Sequence, residues 1–205
     1  MQTADGSFTL FISEVDETYH SKHGAVQESM HVFIENGLFH INKNEIRILE
    51  VGLGTGLNAF LTLQRATQKI SYCALEPYPL SKEILEELSK STSNQLEMKF
   101  HESKSGEIVS LSDRFSFVRM EVGLEAFQSE EKFDLIYYDA FGPRVEPGLW
   151  TLECMQQCYN LLNEGGVFVT YCAKGEVRRN LQSAGFMVER LPGPPGKREM
   201  LRAKR

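Results

Sequence analysis

The sequence predicts an α/β protein with a mostly parallel, seven-stranded sheet that contains one antiparallel strand. Three observations indicate this class: short β-like runs alternate with helical segments, glycines follow the first core strand, and the chain ends in strand–loop–strand without a helix. The 205 residues are 41% hydrophobic and 24% charged, which excludes collagen-like and disordered chains. We expect a single domain over residues 1–205, with 1–44 as an N-terminal cover segment and 45–205 as the core.

Apolar runs and turn residues place the elements in order. Residues 7–36 are typical of a strand pair followed by a short helix, and this pair stands before the core. The apolar and β-branched runs predict strands at 46–51, 70–75, 98–101, 115–122, 133–138, 167–172, 186–190 and 198–203, of which 98–101 is an insertion beside the seven-stranded sheet. Helical patterns lie at 57–68, 81–90, 151–162 and 175–184. The strands at 98–101 and 115–122 are expected to form an inserted hairpin, and the glycines at 165–166 to stop the third helix.

The apolar runs and the cysteines indicate a cytoplasmic protein. The longest apolar runs, such as 135–138, are far too short to span a bilayer, and residues 1–6 lack the features of a signal peptide. Cys73 and Cys172 lie in β-like runs, whereas Cys154 and Cys158 are four residues apart on a predicted helix. Because there is no C-x-x-C, we expect all four to be buried, reduced thiols.

The charge is distributed unevenly. The net charge is −6, yet nine Lys/Arg and only three Asp/Glu lie between Lys174 and Arg205. A basic end on an acidic body is either a footprint for a polyanion or a solvated fringe.

The strongest motif is the run Glu50-Val51-Gly52-Leu53-Gly54-Thr55-Gly56-Leu57-Asn58, between a strand and a helix. Glycines at that junction let the backbone approach a ligand closely. The spacing G-x-G-x-G departs from the dinucleotide pattern G-x-G-x-x-G and disfavours a nicotinamide oxidoreductase. It resembles the first motif of class I S-adenosylmethionine methyltransferases. The resemblance makes Glu50, Gly52, Gly54, Gly56 and Asn58 candidate cofactor-binding residues.

Acids at the ends of the next strands extend this cofactor site. Glu76 ends the second core strand, where a carboxylate can accept both ribose hydroxyls. Glu121 and Val122 end the following strand, where such enzymes place an acid that reads the adenine amino group.

The clearest buried strand runs into Asp139-Ala140-Phe141-Gly142-Pro143. This loop resembles the D-P-P-Y type loop of amino-group methyltransferases, in which the acid holds the amine and the aromatic ring covers it. Asp139 is therefore the candidate catalytic residue and Phe141 the candidate stacking residue, whereas Trp150 is expected to pack in the core.

Three longer segments resemble the MnmC-type tRNA methyltransferase family. They are the runs 139–151 (DAFGPRVEPGLWT), 173–181 (AKGEVRRNL) and 196–201 (GKREML), and residues 20–33 fit the family's N-terminal segment. The resemblance covers nearly the whole chain, in order. It implies a Rossmann-like class I fold, S-adenosyl-L-methionine as cofactor, and methylation of 5-aminomethyl-(2-thio)uridine at tRNA position 34. Many relatives carry a fused flavin-dependent oxidase; we expect none within these 205 residues, so the resemblance implies only the methyl transfer.

The resemblance also implies a substrate site for the tRNA anticodon loop. Phe141 is expected to stack on the splayed-out uridine. The phosphate contacts are assigned to Arg178, Arg179, Lys197 and Arg198, and further substrate contacts to Tyr19, His20, Ser21 and Glu28. Because a carboxylate favours a protonated amine, we assign Asp139 to orienting the amine and carrying off its proton. The activated methyl group needs no metal, and no membrane contact is expected.

Three other functions stay open at this stage: another class I amine methyltransferase, an aminopropyltransferase and a non-catalytic subunit. An aminopropyltransferase would share the fold, although such enzymes usually have a G-G-G-D-G type loop. A non-catalytic subunit that binds the cofactor or RNA would be expected to lack the loop acid, and Asp139 is present. The sequence leaves the oligomeric state open, with a monomer as one option.

Overall fold

The computed structural model describes residues 11–12, 17–18, 24–91 and 95–205. The strands are β1 (Phe11–Ile12), β2 (Glu17–Thr18), β3 (Glu45–Val51), β4 (Lys69–Leu75), β5 (Ile108–Ser112), β6 (Phe115–Met120), β7 (Phe133–Tyr138), β8 (Leu162–Thr170), β9 (Met187–Pro192) and β10 (Glu199–Lys204). The helices are α1 (Ala25–Ser29), α2 (Leu57–Arg65), α3 (Lys82–Ser91), α4 (Gln95–Glu102), α5 (Leu152–Leu161) and α6 (Gly175–Ser183). A π-helical turn, Met30–Glu35, continues α1, and short 3₁₀ turns lie at Leu38–His40, Leu124–Ala126 and Pro147–Trp150.

The main sheet has eight strands in the order β5–β6–β4–β3–β7–β8–β10–β9. Strands β6, β4, β3, β7 and β8 are parallel, and β10 is antiparallel to both β8 and β9. The predicted seven-stranded sheet with one antiparallel strand is confirmed, and β5 adds an eighth strand as the outer strand of a hairpin with β6. The separate antiparallel pair β1–β2 confirms the N-terminal strand pair.

Both faces of the central strands are buried, because helices cover the sheet on each side. On β3, Ile46 and Ile48 belong to one apolar cluster and Leu49 and Val51 to the other, following the two-residue period of a strand. Strand β7 is buried at every position. The four cysteines are buried and free, as predicted.

The prediction of a strand at 98–101 was wrong, because these residues lie in α4. Met98 and Phe100 imitate the two-residue period of a strand, but Phe100 is fully buried with its ring edge-on to Phe117, 4.9 Å between centroids. The strand that pairs with β6 is Ile108–Ser112, whose alternating exposed and half-buried residues suit a sheet edge.

Strand β8 begins five residues earlier than the predicted strand. The segment 163–166, expected to be only a helix stop, extends alongside the end of the chain. Gly165 N donates to Arg205 O (3.1 Å) and Arg205 N donates to Gly166 O (3.0 Å). Hydrogen bonding to the C-terminal residue Arg205 therefore holds this segment extended, although its Asn and Gly residues are typical of a turn.

The sheet order reverses at β3. From β3 the chain moves outward through β4 and β6, then returns to place β7 on the other side of β3. In open α/β sheets, ligands bind in the crevice beyond the carboxyl ends of the strands at such a switch point. Within the described residues, no helix is long and apolar enough to cross a membrane.

Candidate functional site

A cavity of about 1080 Å³ lies at this switch point. Small-molecule pockets usually have volumes of ~300–1,000 Å³, so the cavity has room for a nucleotide-sized cofactor and a second ligand. Its walls come from the segments that follow five parallel strands, together with α1 and the β9–β10 loop. The lining includes Glu28, Gly52, Gly54, Glu76, Tyr78, Gly123, Glu125, Asp139, Phe141, Tyr171 and Lys197.

The glycine loop after β3 forms one wall at close range. Gly52 has φ +90°, and a Cβ atom there would lie 2.9 Å from Asp139 O. Only glycine tolerates both the left-handed backbone and this approach between neighbouring strand ends. Gly54 also lines the cavity with positive φ. Gly56, in contrast, does not line the cavity. It is the N-cap residue of α2, and a Cβ atom there would lie 3.4 Å from His101 Nε2.

His101 supports the glycine loop, a role that sequence reasoning missed. Its Nε2 donates to Thr55 O (3.0 Å), and burial lowers the pKa of His101 although this hydrogen bond opposes the shift. The ring is therefore neutral at physiological pH and holds the loop by an ordinary hydrogen bond.

Glu76 lines the cavity. Its Oε2 accepts from Gly54 N (3.0 Å) and its Oε1 from Tyr78 N (3.2 Å). Burial raises the pKa of Glu76, and both hydrogen bonds oppose that shift. The two bonds orient the carboxylate between the glycine loop and the loop after β4.

Glu121 and Val122 do not line the cavity. Strand β6 ends at Met120, and the exposed Glu121 turns to Arg119, with Oε1 2.9 Å from Nη1. The next residues, 123–126, line the cavity instead, because the chain turns there into a 3₁₀ helix. Glu125 is thus the acid that this strand end presents, and only the glycine at 123 hints at the turn.

Glu50 and Asn58 are brought together beneath the cavity, not in it. Glu50 is fully buried on β3, on the face that α2 covers, and Asn58 is 2% exposed on α2. Asn58 Nδ2 donates to Glu50 Oε1 (2.9 Å) and to Asp139 Oδ2 (2.7 Å). In place of the predicted cofactor contact, both side chains form a buried polar chain that ends on Asp139.

Burial changes the ionisation of the acid at the start of this hydrogen-bonded set. It raises the pKa of Glu50 well above its ordinary value, although the hydrogen bond from Asn58 opposes the shift. Glu50 Oε2 and Asn58 Oδ1 have no hydrogen-bond partner among the described residues. Burial thus favours the neutral acid form of Glu50, and Asn58 donates both of its amide hydrogens to carboxyl oxygens.

Asp139 is the titratable group best placed for chemistry. It follows β7, its backbone N donates to Val51 O (3.0 Å), and it is one of the residues that line the cavity. Burial raises the pKa of Asp139 to about 8; the hydrogen bond from Asn58 and the charge of Lys197 oppose this shift, whereas Glu28 adds to it. A general base is most effective when its pKa lies near the working pH.

The loop after Asp139 is held from below. Phe141 is half-buried on the cavity wall, and Trp150 Nε1 donates to Phe141 O (2.7 Å). Trp150 is 3% exposed and packs edge-on against Tyr138, 5.0 Å between ring centroids, which confirms its predicted core role. Tyr171 hydroxyl donates to Ala140 O (2.9 Å).

The basic residues predicted to contact phosphate differ in their exposure and in whether they line the cavity. Arg179 and Arg198 are exposed, and Arg178 is half-buried with no partner for Nε among the described residues. Lys197 instead points into the cavity and forms an ion pair with Glu28, which α1 carries. Tyr19, His20 and Ser21 lie outside the described residues.

Comparisons with known proteins agree with this geometry. Residues 79–205 match the S-adenosyl-L-methionine-dependent methyltransferase family. The chain is 29% identical over 211 residues to the "tRNA 5-methylaminomethyl-2-thiouridine biosynthesis bifunctional protein MnmC" of Marinomonas sp. (strain MWYL1), covering 92% of this chain and 31% of that protein. The chain thus spans about a third of the length of the curated relatives it matches.

Two solved structures are also similar. MnmC2 from Aquifex aeolicus has a TM-score of 0.75 at 26% identity, over 98% of this chain and 68% of that one. Spermidine synthase from Thermotoga maritima has a TM-score of 0.58 at 17% identity, over 91% and 62%, a likeness that shows the fold alone. The family match covers more than half of the chain, and the cavity lies where this fold binds its ligands. The chain belongs to the S-adenosyl-L-methionine-dependent methyltransferases.

Proposed function

We propose that this chain methylates the 5-aminomethyl group of (2-thio)uridine at the wobble position, 34, of tRNA. The observation that carries the proposal is the carboxyl of Asp139, which has a pKa of about 8 and shares a cavity with the aromatic ring of Phe141. The names of the relatives, which concern 5-methylaminomethyl-2-thiouridine in tRNA, supply the substrate. A cytoplasmic location accords with this substrate and stays a prediction.

The cofactor would lie along the glycine loop. When bound, S-adenosyl-L-methionine supplies a methyl group activated on sulfur. Gly52 and Gly54 have no side chains, so a ligand can approach the backbone at this wall. Glu76 presents a carboxylate that two backbone N–H groups already orient. We assign Glu76 to the ribose hydroxyls and the exposed ring of Tyr78, in the same wall, to a contact with the base. The acid nearest the base is then Glu125, in place of Glu121.

Replacing Glu76 by alanine should weaken S-adenosyl-L-methionine binding by about 10- to 100-fold, since a charge-assisted hydrogen bond contributes ~1.5–3 kcal/mol. Calorimetric titration measures the affinity. Glu83→Ala, on the exposed face of α3, is the matched control and should bind normally. Equal affinities for the two variants would exclude the ribose assignment.

The residues around Asp139 would prepare the amine for transfer. Asp139 orients the nitrogen and accepts its proton, and the ring of Phe141 stacks on the uracil. Because the pKa of Asp139 is about 8, the carboxyl takes up a proton far more readily than an ordinary aspartate does. This reduces the tension noted from the sequence, in which a strongly acidic carboxylate would hold the amine protonated.

The direct test uses tRNA from cells that lack this modification. Purified protein, S-adenosyl-L-methionine and this tRNA should yield 5-methylaminomethyl-(2-thio)uridine, identified by nucleoside mass analysis. A parallel reaction with decarboxylated cofactor and a polyamine tests aminopropyl transfer. Product in the second reaction alone, or methylation of a different nucleoside, would refute the proposal.

The exposed cations at the C-terminal end would position the tRNA. Because Lys197 is engaged in the cavity, we expect phosphate contacts from Arg179 and Arg198. Changing both to glutamine should weaken tRNA binding and flatten the dependence of log affinity on log salt by about two units at most.

The matched control for this change lies at the opposite end of the strands from the cavity. Arg47 and Lys69 are exposed cations near the amino ends of β3 and β4, so Arg47→Gln with Lys69→Gln removes the same charge away from the cavity. If both double variants lose affinity equally, binding follows overall charge and the footprint is not local.

The N-terminal segment would cover the substrate side of the cavity. Glu28 and Phe33 already line it, which supports the division into a cover of residues 1–44 and a core of residues 45–205.

A further inference from the structure

The ammonium group of Lys197 lies inside the cavity, between two groups that favour a cation. It donates to Glu28 Oε1, and it lies 3.9 Å from the centroid of the Tyr171 ring. The side chain of Glu28 is 11% exposed and that of Lys197 is 34% exposed. A carboxylate and an aromatic face together make a setting that binds an alkylammonium group.

The two groups that hold this ammonium are fixed by the fold. Glu28 belongs to α1 and is nearly buried, so its carboxylate needs a cation to offset the loss of hydration. The Tyr171 ring is anchored through its hydroxyl to Ala140 O, in the loop that follows Asp139. Lys197, in contrast, comes from the loop between β9 and β10 on a flexible four-carbon stem.

We propose that Glu28 and Tyr171 form a binding site for a primary alkylammonium group, which Lys197 fills until the substrate amine replaces it. The identity of the incoming group rests on the proposed function, because an aminomethyl group is itself a primary alkylammonium when protonated. The exchange replaces one cation by another, so the nearly buried carboxylate of Glu28 is never left alone.

The exchange also gives a basis for specificity. A uridine without an amine offers no cation and leaves Lys197 in place. A uridine with an aminomethyl group displaces Lys197 and arrives beside Asp139, whose charge environment includes both Glu28 and Lys197. Selection therefore depends on the group that is to be methylated.

Ethylammonium, which reproduces the tip of a lysine side chain, tests the site without tRNA. Lys197→Ala should bind ethylammonium about 10- to 100-fold more tightly than the wild-type protein, the range expected for one charge-assisted hydrogen bond. The gain should disappear in Lys197→Ala with Glu28→Gln, and neutral propanol should show none. Arg198→Ala is the control, because it removes the adjacent exposed cation.

Normal S-adenosyl-L-methionine binding by Lys197→Ala shows that the variant is folded; no gain for ethylammonium in that folded variant overturns the proposal. If the variant does not fold, the wild-type protein with ¹³C-labelled lysine is titrated with ethylammonium. A saturable shift of the Lys197 resonance supports the site, and an unchanged resonance overturns it. Since neither assay uses tRNA, a failure here is distinct from a failure of the proposed function.

Kinetics with aminomethylated tRNA then test the exchange itself. Lys197→Ala should lower KM, because the competing ammonium is gone. A raised KM with an unchanged kcat would instead mean that Lys197 contacts phosphate, and it would overturn the exchange.

Discussion

Asp139→Asn should lower the single-turnover rate of methyl transfer by about 10²- to 10⁴-fold, the usual loss when a positioned proton acceptor is removed. Asparagine keeps the shape and one acceptor oxygen, but its amide cannot take up the proton that the amine must lose. Saturating S-adenosyl-L-methionine and tRNA ensure that weak binding does not imitate slow chemistry. Near-normal turnover would reduce Asp139 to a structural loop residue.

The pH dependence identifies the group responsible. Because burial raises the pKa of Asp139 to about 8, kcat/KM for the wild-type enzyme should rise with pH and level off above this value. The amine titrates as well, so the comparison with Asp139→Asn is essential. If the rise in kcat/KM near pH 8 persists unchanged in Asp139→Asn, it reflects titration of the substrate amine.

The same substitution should stabilise the fold. The pKa of Asp139 is raised in the folded state, so the folded protein binds this proton more tightly than the unfolded chain does. Stability from this group therefore declines as pH rises from about 4 to about 8. Asparagine does not ionise and therefore causes no such decline in stability. The melting temperature of Asp139→Asn should thus exceed that of the wild type most clearly above pH 8.

Asp134 provides the matched control, because it lies on β7, the strand that Asp139 follows, at the end remote from the cavity. Burial alone would raise its pKa, but hydrogen bonds from Arg47 N (3.0 Å), Lys43 and Asn163 lower it overall. Its stabilising contribution is present above the unfolded pKa and is lost in acid. Asp134→Asn should therefore destabilise the protein at pH 8 and leave methyl transfer intact, opposite to Asp139→Asn in both respects.

The sequence predicted those features that depend on neighbouring residues. The apolar run 135–138 marks a strand buried on both faces, and the loop after it fixes Asp139 at its tip. Glu76 lines the cavity because it directly follows β4, and its contact with the ribose stays a prediction. The same reasoning failed for Glu121, since β6 stops at Met120 and the chain turns before it reaches the cavity.

Features that depend on side-chain direction or on distant segments could not be predicted in this way. Glu50 belongs to the glycine motif, yet it points to the face that α2 covers, as Ile48 does two residues earlier. The pair of Glu28 and Lys197 joins residues 169 positions apart, and no spacing rule connects them.

Asn58→Asp should produce the largest loss of stability, because Asn58 donates to two buried carboxyl groups at once. The substitution keeps the shape but removes both donors and adds a third acid. Losing both donors leaves two carboxyl oxygens without their hydrogen bonds, which corresponds to about 2 kcal/mol or more in the free energy of unfolding. The loss should be small near pH 4 and grow with pH as the carboxyls ionise, and urea denaturation at several pH values measures it.

A second substitution separates the fold from the chemistry. In Asn58→Asp with Glu50→Gln, amide and carboxyl exchange places, so the glutamine can donate to the new aspartate and much of the stability should return. Asp139 still lacks its donor, and the hydrogen bond from Asn58 is the larger of the two effects that lower the pKa of Asp139 against burial, the other being the charge of Lys197. The double variant should therefore fold well but transfer the methyl group slowly. Its rate of methyl transfer should rise with pH only above pH 8. If activity returned together with stability, Asn58 would serve only the packing of α2 on β3, and Asp139 would be oriented by its own backbone.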